Sequence, residues 1–147
     1  MVDMSDTNWH THLQNLVEYS RKQNVDVVFK RGSDDCYDTD TNIISINSKR
    51  TKRNQTYVLL HELGHHKILK DGELSKKFAS LIEPCTTRSL SKKVLTLEEE
   101  VIAWHIGESI AREQSIPLDS IYQVLKSKCL KTYIEPIVLK KAKGCCI

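Results

Sequence analysis

From Arg53 to Lys70 the chain runs without a proline and with Gly64 as its single glycine, and inside that run stand His61, Glu62 and His65. The run predicts a helix on which Leu59, Leu60 and Leu63 mark a buried stripe. A helix leaves the polar trio little choice of placement. Residues four apart lie one turn apart on the same face, about 5 to 6 Å between Cβ atoms, so both imidazoles can reach one tetrahedral metal at ~2.0 to 2.1 Å. Glu62 projects about 100° further round the axis. That direction suits a general base better than a third ligand. The pattern therefore predicts Zn2+ held by His61 and His65, with Glu62 taking the proton of a water whose pKa zinc brings to about 7.

The surrounding segments predict a mostly helical domain with a little sheet. Trp9, Leu13, Leu16 and Val17 stand at helical spacing between Asp6 and Gln23, behind Ser5 and Asp6 as possible caps. Val25, Val27 and Phe29 alternate with other residues, and after the Gly32-Ser33-Asp34-Asp35 turn signal Ile44 and Ile46 alternate again. These are two short strands, expected to be antiparallel neighbours. Asp71-Gly72 is expected to close the histidine helix, Leu74 to Ile82 reads as a weak helical stretch, and the polar segment around Pro84 reads as a surface loop. Thr96-Leu97-Glu98-Glu99 has the form of a capping box, opening a helix that runs to about Gln114 through Ile102, Ala103, Ile106 and Ile110. Pro117 then precedes a further helix carrying Leu118, Ile121, Tyr122, Leu125 and Cys129. The fold class is α+β: one domain over 1–147, with its core at about 5–130 and a tail at 131–147 that has room for a short helix.

With 147 residues, 39% of them hydrophobic and 28% charged, the chain can bury a core without disulfide or metal staples. The net charge of +3 gathers in Lys49 to Arg53 and Lys140 to Lys143. No aromatic residues are interleaved there, so nucleic-acid binding is not expected. Five cysteines without a Cys-x-x-Cys pair argue against a disulfide framework and for a reducing compartment. Met1 to Trp9 has no apolar core of a secretory signal, no apolar run is long enough to cross a bilayer, and the terminal Gly144-Cys145-Cys146-Ile147 lacks a prenylation signal. A soluble, cytoplasmic protein is expected.

Two histidines do not complete a zinc site, and several residues compete for the third place. Ile68 and Asp71 stand where a metzincin would need Gly and His, and Cys36 sits in Asp34-Asp35-Cys36-Tyr37, not in the Gly-Cys-Leu context of a deformylase. The acidic run Glu98-Glu99-Glu100 is the best source. Glu99 shares a more apolar face, with Ile102, Ala103, Ile106 and Ile110, so periodicity alone slightly prefers it, but capping duty would turn it toward Thr96. Glu100 shares a face with Ala103, Trp104, Gly107 and Ala111, small residues that would let its helix approach the histidine helix. His105 is a further possible ligand. His66 suits a supporting or surface role, His10 and His12 solvent exposure, and Tyr57 packing in preference to contact with a reaction intermediate.

His61-Glu62-Leu63-Gly64-His65-His66, preceded by Ile43-Ile44-Ser45-Ile46-Asn47 and followed by Glu100-Val101-Ile102-Ala103, resembles the ImmA/IrrE-like zinc metallopeptidases over roughly Val25 to Arg112. The resemblance implies a small zincin-like α+β fold, with His61, His65 and Glu100 as ligands and Glu62 as base in a gluzincin-like site. It also implies a protein substrate lying along an edge strand, here Asn42 to Asn47. Members often cleave a repressor or other regulator, frequently in phage or mobile-element settings. After Ala103 this chain has Trp104-His105-Ile106-Gly107 where members commonly carry Asn or Asp and then Phe-Ala. A non-catalytic metal-binding interaction or regulatory protein of the same fold is the competing expectation, and the intact Glu62 speaks against it.

Overall fold

The structure, a computed structural model, describes residues 4–82 and 89–144. The loop expected around Pro84 lies for the most part outside them. Helix α1, Met4–Lys22, buries Trp9, Leu13 and Leu16 along one stripe. Asn24 at φ 61° reverses the chain, a left-handed conformation that asparagine tolerates better than most residues. Strand β1, Asp26–Lys30, follows, then β2, Cys36–Asp38, and β3, Ile43–Asn47.

The sheet order is β1-β3-β2. β3 pairs parallel with β1, Val27 opposite Ile44, and antiparallel with β2, Tyr37 opposite Ile44. This corrects two expectations. The two strands legible in the sequence are parallel, because the segment between them forms a third strand, so the direction reverses twice before β3 begins. Ile43–Asn47 is also not an edge: it is the central strand, with Ile44 and Ile46 fully buried. The edge next to the histidine helix is β2, three residues whose alternation is too short to read. Asp35 fastens its entry, accepting from the Asn47 amide at 2.8 Å and from Arg50 Nε at 2.9 Å.

Helix α2, Lys52–Lys70, carries the histidines. Thr51 caps it by accepting from the Asn54 amide. Every residue from Gln55 to Gly64 is buried, so α2 runs through the middle of the molecule and is wrapped on more than the one stripe expected. Gln55 Nε2 meets that burial by donating to the Arg50 carbonyl at 2.8 Å. At the far end Asp71 accepts from the Glu73 and Leu74 amides, opening α3, Gly72–Phe78. The stop is thus the cap of a following helix, in place of a left-handed glycine. A 3-10 turn at Ala79–Leu81 follows.

Helix α4, Leu90–Glu113, is capped by Ser89, whose hydroxyl accepts from the Lys92 amide. The expected capping box is therefore not the start. Thr96 lies inside the helix and donates to the Lys92 carbonyl at 2.8 Å, which releases Glu99 from capping. Asp119 accepts from the Tyr122 amide where α5, Ser120–Gly144, begins, and α5 runs on past Cys129 with Pro136 inside it. The described residues thus form five α-helices and a three-stranded mixed sheet, an α+β domain of the expected class.

Helices α2 and α4 touch backbone to backbone. A Cβ placed on Gly64 would lie 2.1 Å from the Ala103 carbonyl oxygen, and one on Gly107 would lie 2.8 Å from the Leu60 carbonyl oxygen. No side-chain rotation relieves the first overlap, since main chain stands on both sides. Gly64→Ala gains about 1 kcal/mol of helix propensity but forces an overlap whose relief costs about 3 kcal/mol or more. The variant is expected to unfold at a clearly lower urea concentration than the wild type, and an unchanged midpoint would show that the helices can part freely.

Candidate metal centre

Two successive turns of α2 and one residue of α4 bring the polar groups together. His61 Nε2 lies 3.1 Å from Glu100 Oε2, His65 Nε2 lies 3.2 Å from Glu100 Oε1, and the two Nε2 atoms are 3.2 Å apart. The three residues offer ligand atoms within 4.8 Å of one another and could hold a metal ion. The donor set fits one. Two imidazole nitrogens face each other with a carboxylate across them, and buried Glu100 Oε2 has His61 Nε2 3.1 Å away but not in hydrogen-bond geometry, an arrangement a cation satisfies and a proton satisfies only in part.

The charges are strongly coupled. Burial raises the cost of an ionised Glu100, but the imidazoles of His61 and His65 beside it outweigh that and hold the carboxyl down at about 2. Burial likewise opposes a charged His65, yet hydrogen bonds to Glu100 and Glu99 raise its imidazole to about 10. Glu62 is buried in the same cluster and its pKa is raised, by burial first, with His65 and His61 pulling the other way and Glu100 and Asp35 adding to the rise. A carboxyl lifted in this way is a better proton acceptor near neutral pH.

Supporting contacts fix the two imidazoles. Glu99 Oε1 lies 3.1 Å from His65 Nδ1, the carboxylate-histidine arrangement that sets a ligand's tautomer and orientation. Glu99, weighed as a ligand, is thus placed behind His65 and outside the group that could hold an ion. His61 is held differently, stacked on Trp104 with ring centroids 4.3 Å apart and planes 23° apart. Trp104, part of the chain's departure after Ala103, therefore has a place in the site. His66 is buried, 2.9 Å from the Tyr37 hydroxyl, which donates to Asn42 at 2.8 Å, so it ties α2 to β2 and has no surface role.

Other candidates lie elsewhere. His105 is exposed on α4 beside Glu108, at 3.4 Å, and is not a member of the cluster. Tyr57 is fully buried and donates to Asp119 at 2.9 Å, the packing role expected of it. His10 is exposed, and His12 leans on Trp9. In the basic run, Arg50 pairs with Asp35, and Arg53 with Asp119 while lying over Trp9. Cys36 and Cys129 are free thiols, and the other three cysteines lie outside the described residues. None of the described helices is long and apolar enough to cross a membrane.

The cluster forms one wall of a cavity of about 450 Å³. β2 contributes Cys36 and Tyr37, α3 contributes Phe78, and α5 contributes Leu125, Cys129 and Tyr133. Tyr133 was missed in the sequence, where residues past 130 read as tail. Its spacing of four from Cys129 and eight from Leu125 puts it on their face, but spacing alone does not say that the face meets a site.

Two outcomes follow from these contacts. His65 is raised above its ordinary value, so the stability it contributes is whole below about 6.5 and is lost as pH climbs toward about 10. Thermal melts of chelator-treated protein are expected to fall across that interval, and zinc, which displaces the proton, should flatten the fall. A chelated protein equally stable at both ends would contradict the coupling. Glu99→Gln removes the charge behind His65, and a chelator competition is expected to show zinc held about 10- to 100-fold more weakly.

The IrrE N-terminal-like domain family of peptidases (peptidase M78) matches residues 20–102, more than half of the chain and the stretch that carries His61, Glu62, His65 and Glu100. Comparison with curated proteins and with solved structures returned no significant match. With its histidine helix, its small sheet and a His-His-Glu group able to take a metal, the chain belongs to the IrrE N-terminal-like, peptidase M78 family.

Proposed function

We propose that the protein is a zinc-dependent peptidase that hydrolyses a peptide bond in a protein substrate, with a regulatory protein such as a repressor as the kind of target. The observation that carries the reading is Glu62: a buried carboxyl with a raised pKa, in the same cavity wall as three converging ligands. A purely structural metal site has no use for such a group.

His61, His65 and Glu100 would hold the ion. When bound, zinc supplies Lewis acidity toward a carbonyl oxygen and makes water acidic near neutral pH. Glu62 accepts a proton from the attacking water, and the same carboxyl returns it to the departing amine. Glu99 and Trp104 keep His65 and His61 from turning away. The β2 edge, Cys36–Asp38, leaves one side of its backbone unpaired within the sheet. An extended substrate can pair there and so lie across the cavity mouth, which moves the substrate edge from Asn42–Asn47 to β2.

Glu62→Gln keeps the shape and removes the base. Zinc content is expected to stay at that of the wild type while cleavage of an unstructured protein such as casein falls by about 10²- to 10⁴-fold. Undiminished cleavage by a zinc-loaded Glu62→Gln protein would refute the role.

A further inference from the structure

A cavity that takes a peptide can read a charged side chain only where its wall offers the opposite charge in a fitting geometry. Most of the ionisable wall is acidic, since Asp35, Glu62, Glu99 and Glu100 all line the cavity. Among the described residues Arg50 is the one lysine or arginine that lines it. It stands on the turn between β3 and α2, immediately before the Thr51 cap.

Asp35 occupies one edge of the Arg50 guanidinium and leaves another. Nη2 at 2.6 Å and Nε at 2.9 Å both reach a single oxygen, Asp35 Oδ2, while Oδ1 accepts from the Asn47 amide. Those two donors form the side edge of the planar fork. Nη1, which completes the end edge with Nη2, has no hydrogen bond or ion pair among the described residues. The Asp35 side chain is 12% exposed and that of Arg50 34%, so the carboxylate is the sheltered partner and the guanidinium the accessible one. Fastening β2 uses the side edge alone, and it leaves unexplained why the other edge belongs to a residue of the cavity wall.

We propose that Arg50 is a specificity-determining residue, its end edge donating paired hydrogen bonds to an acidic side chain of the substrate. The inference deepens the peptidase reading above and rests on it. Reach sets where that side chain falls. His61 lies about 14 Å along α2 from its first residue, at about 1.5 Å per residue, and an extended peptide covers that span in about four residues. The acidic residue therefore stands within about four positions of the cleaved bond. Asp35 cancels the charge of Arg50 at longer range, so the preference is carried by the fork at contact distance, a geometry that a lysine ammonium does not copy.

The test starts from a sequence that the zinc-loaded protein cleaves in a randomised fluorogenic peptide mixture. Glu and its neutral isostere Gln are then placed in turn at each of the four positions on either side of the bond. One position is expected at which Glu raises kcat/KM over Gln by about tenfold, and Arg50→Lys, with its fold checked by circular dichroism and its zinc content measured, is expected to bring that ratio close to one. Wild-type protein that cleaves Glu and Gln peptides alike at every position would overturn the proposal, with no variant needed, and leave the peptidase reading intact. A Glu preference that survives in Arg50→Lys, both peptides slowing together, would also overturn it, assigning the guanidinium to holding Asp35. Zinc-loaded wild type that cleaves nothing in the mixture would sink the peptidase reading, and this one with it.

Discussion

Where α2 and α4 cross, main chain meets main chain, at Gly64 against Ala103 and at Gly107 against Leu60. Glycine is needed there for want of space, since neither residue has a positive φ. Everything at the metal centre depends on this crossing, because it sets how near α4 can bring a carboxylate to two imidazoles on α2. A Cβ at either place would overlap main chain, most severely at Gly64, and relieving that overlap would move α4 away from α2. Glu100 would then face solvent or apolar wall, where a buried unpaired charge is costly.

Around that crossing the burial is nearly complete. Tyr57 lies between Trp9 and Tyr122, ring edges meeting faces at 5.2 Å on each side, and Trp104 links His61 to the same aromatic group through Tyr122. The ligand side of α2 is therefore continuous with the core, and the imidazole of His61 is as well packed as a core side chain. Such packing limits rotamer freedom before any ion arrives, which lowers the entropy lost on binding. It also explains why the acid run on α4 divides its work. Glu100 points into the centre, Glu99 meets the outer nitrogen of His65, and Glu98 pairs with Lys77 of α3.

Helix periodicity made α1, α2, α4 and the start of α5 legible, and the spacing of His61 and His65 placed the centre on α2. The family pattern chose Glu100 over Glu99, against the slight preference of periodicity for Glu99. What stayed hidden had particular causes. β2 is three residues long with one inward side chain, too short for alternation to register, and missing it turned a parallel pair into an expected antiparallel one. Thr96-Leu97-Glu98-Glu99 has the form of a helix start, but Ser89 caps the helix more than a turn earlier, and local chemistry cannot tell a cap from an interior threonine that bonds its own i−4 carbonyl. Tyr133 depends on how α5 crosses the cavity, a tertiary fact with no local signature.

In the proposed site one divalent ion is held by two imidazoles and one carboxylate, with a position left for solvent. X-ray absorption at the zinc edge of the loaded protein reads that coordination shell. One zinc per chain is expected, with two imidazole nitrogens and two oxygens at about 2.0 Å and no sulfur. A sulfur scatterer near 2.3 Å, or a shell without two imidazoles, would contradict it.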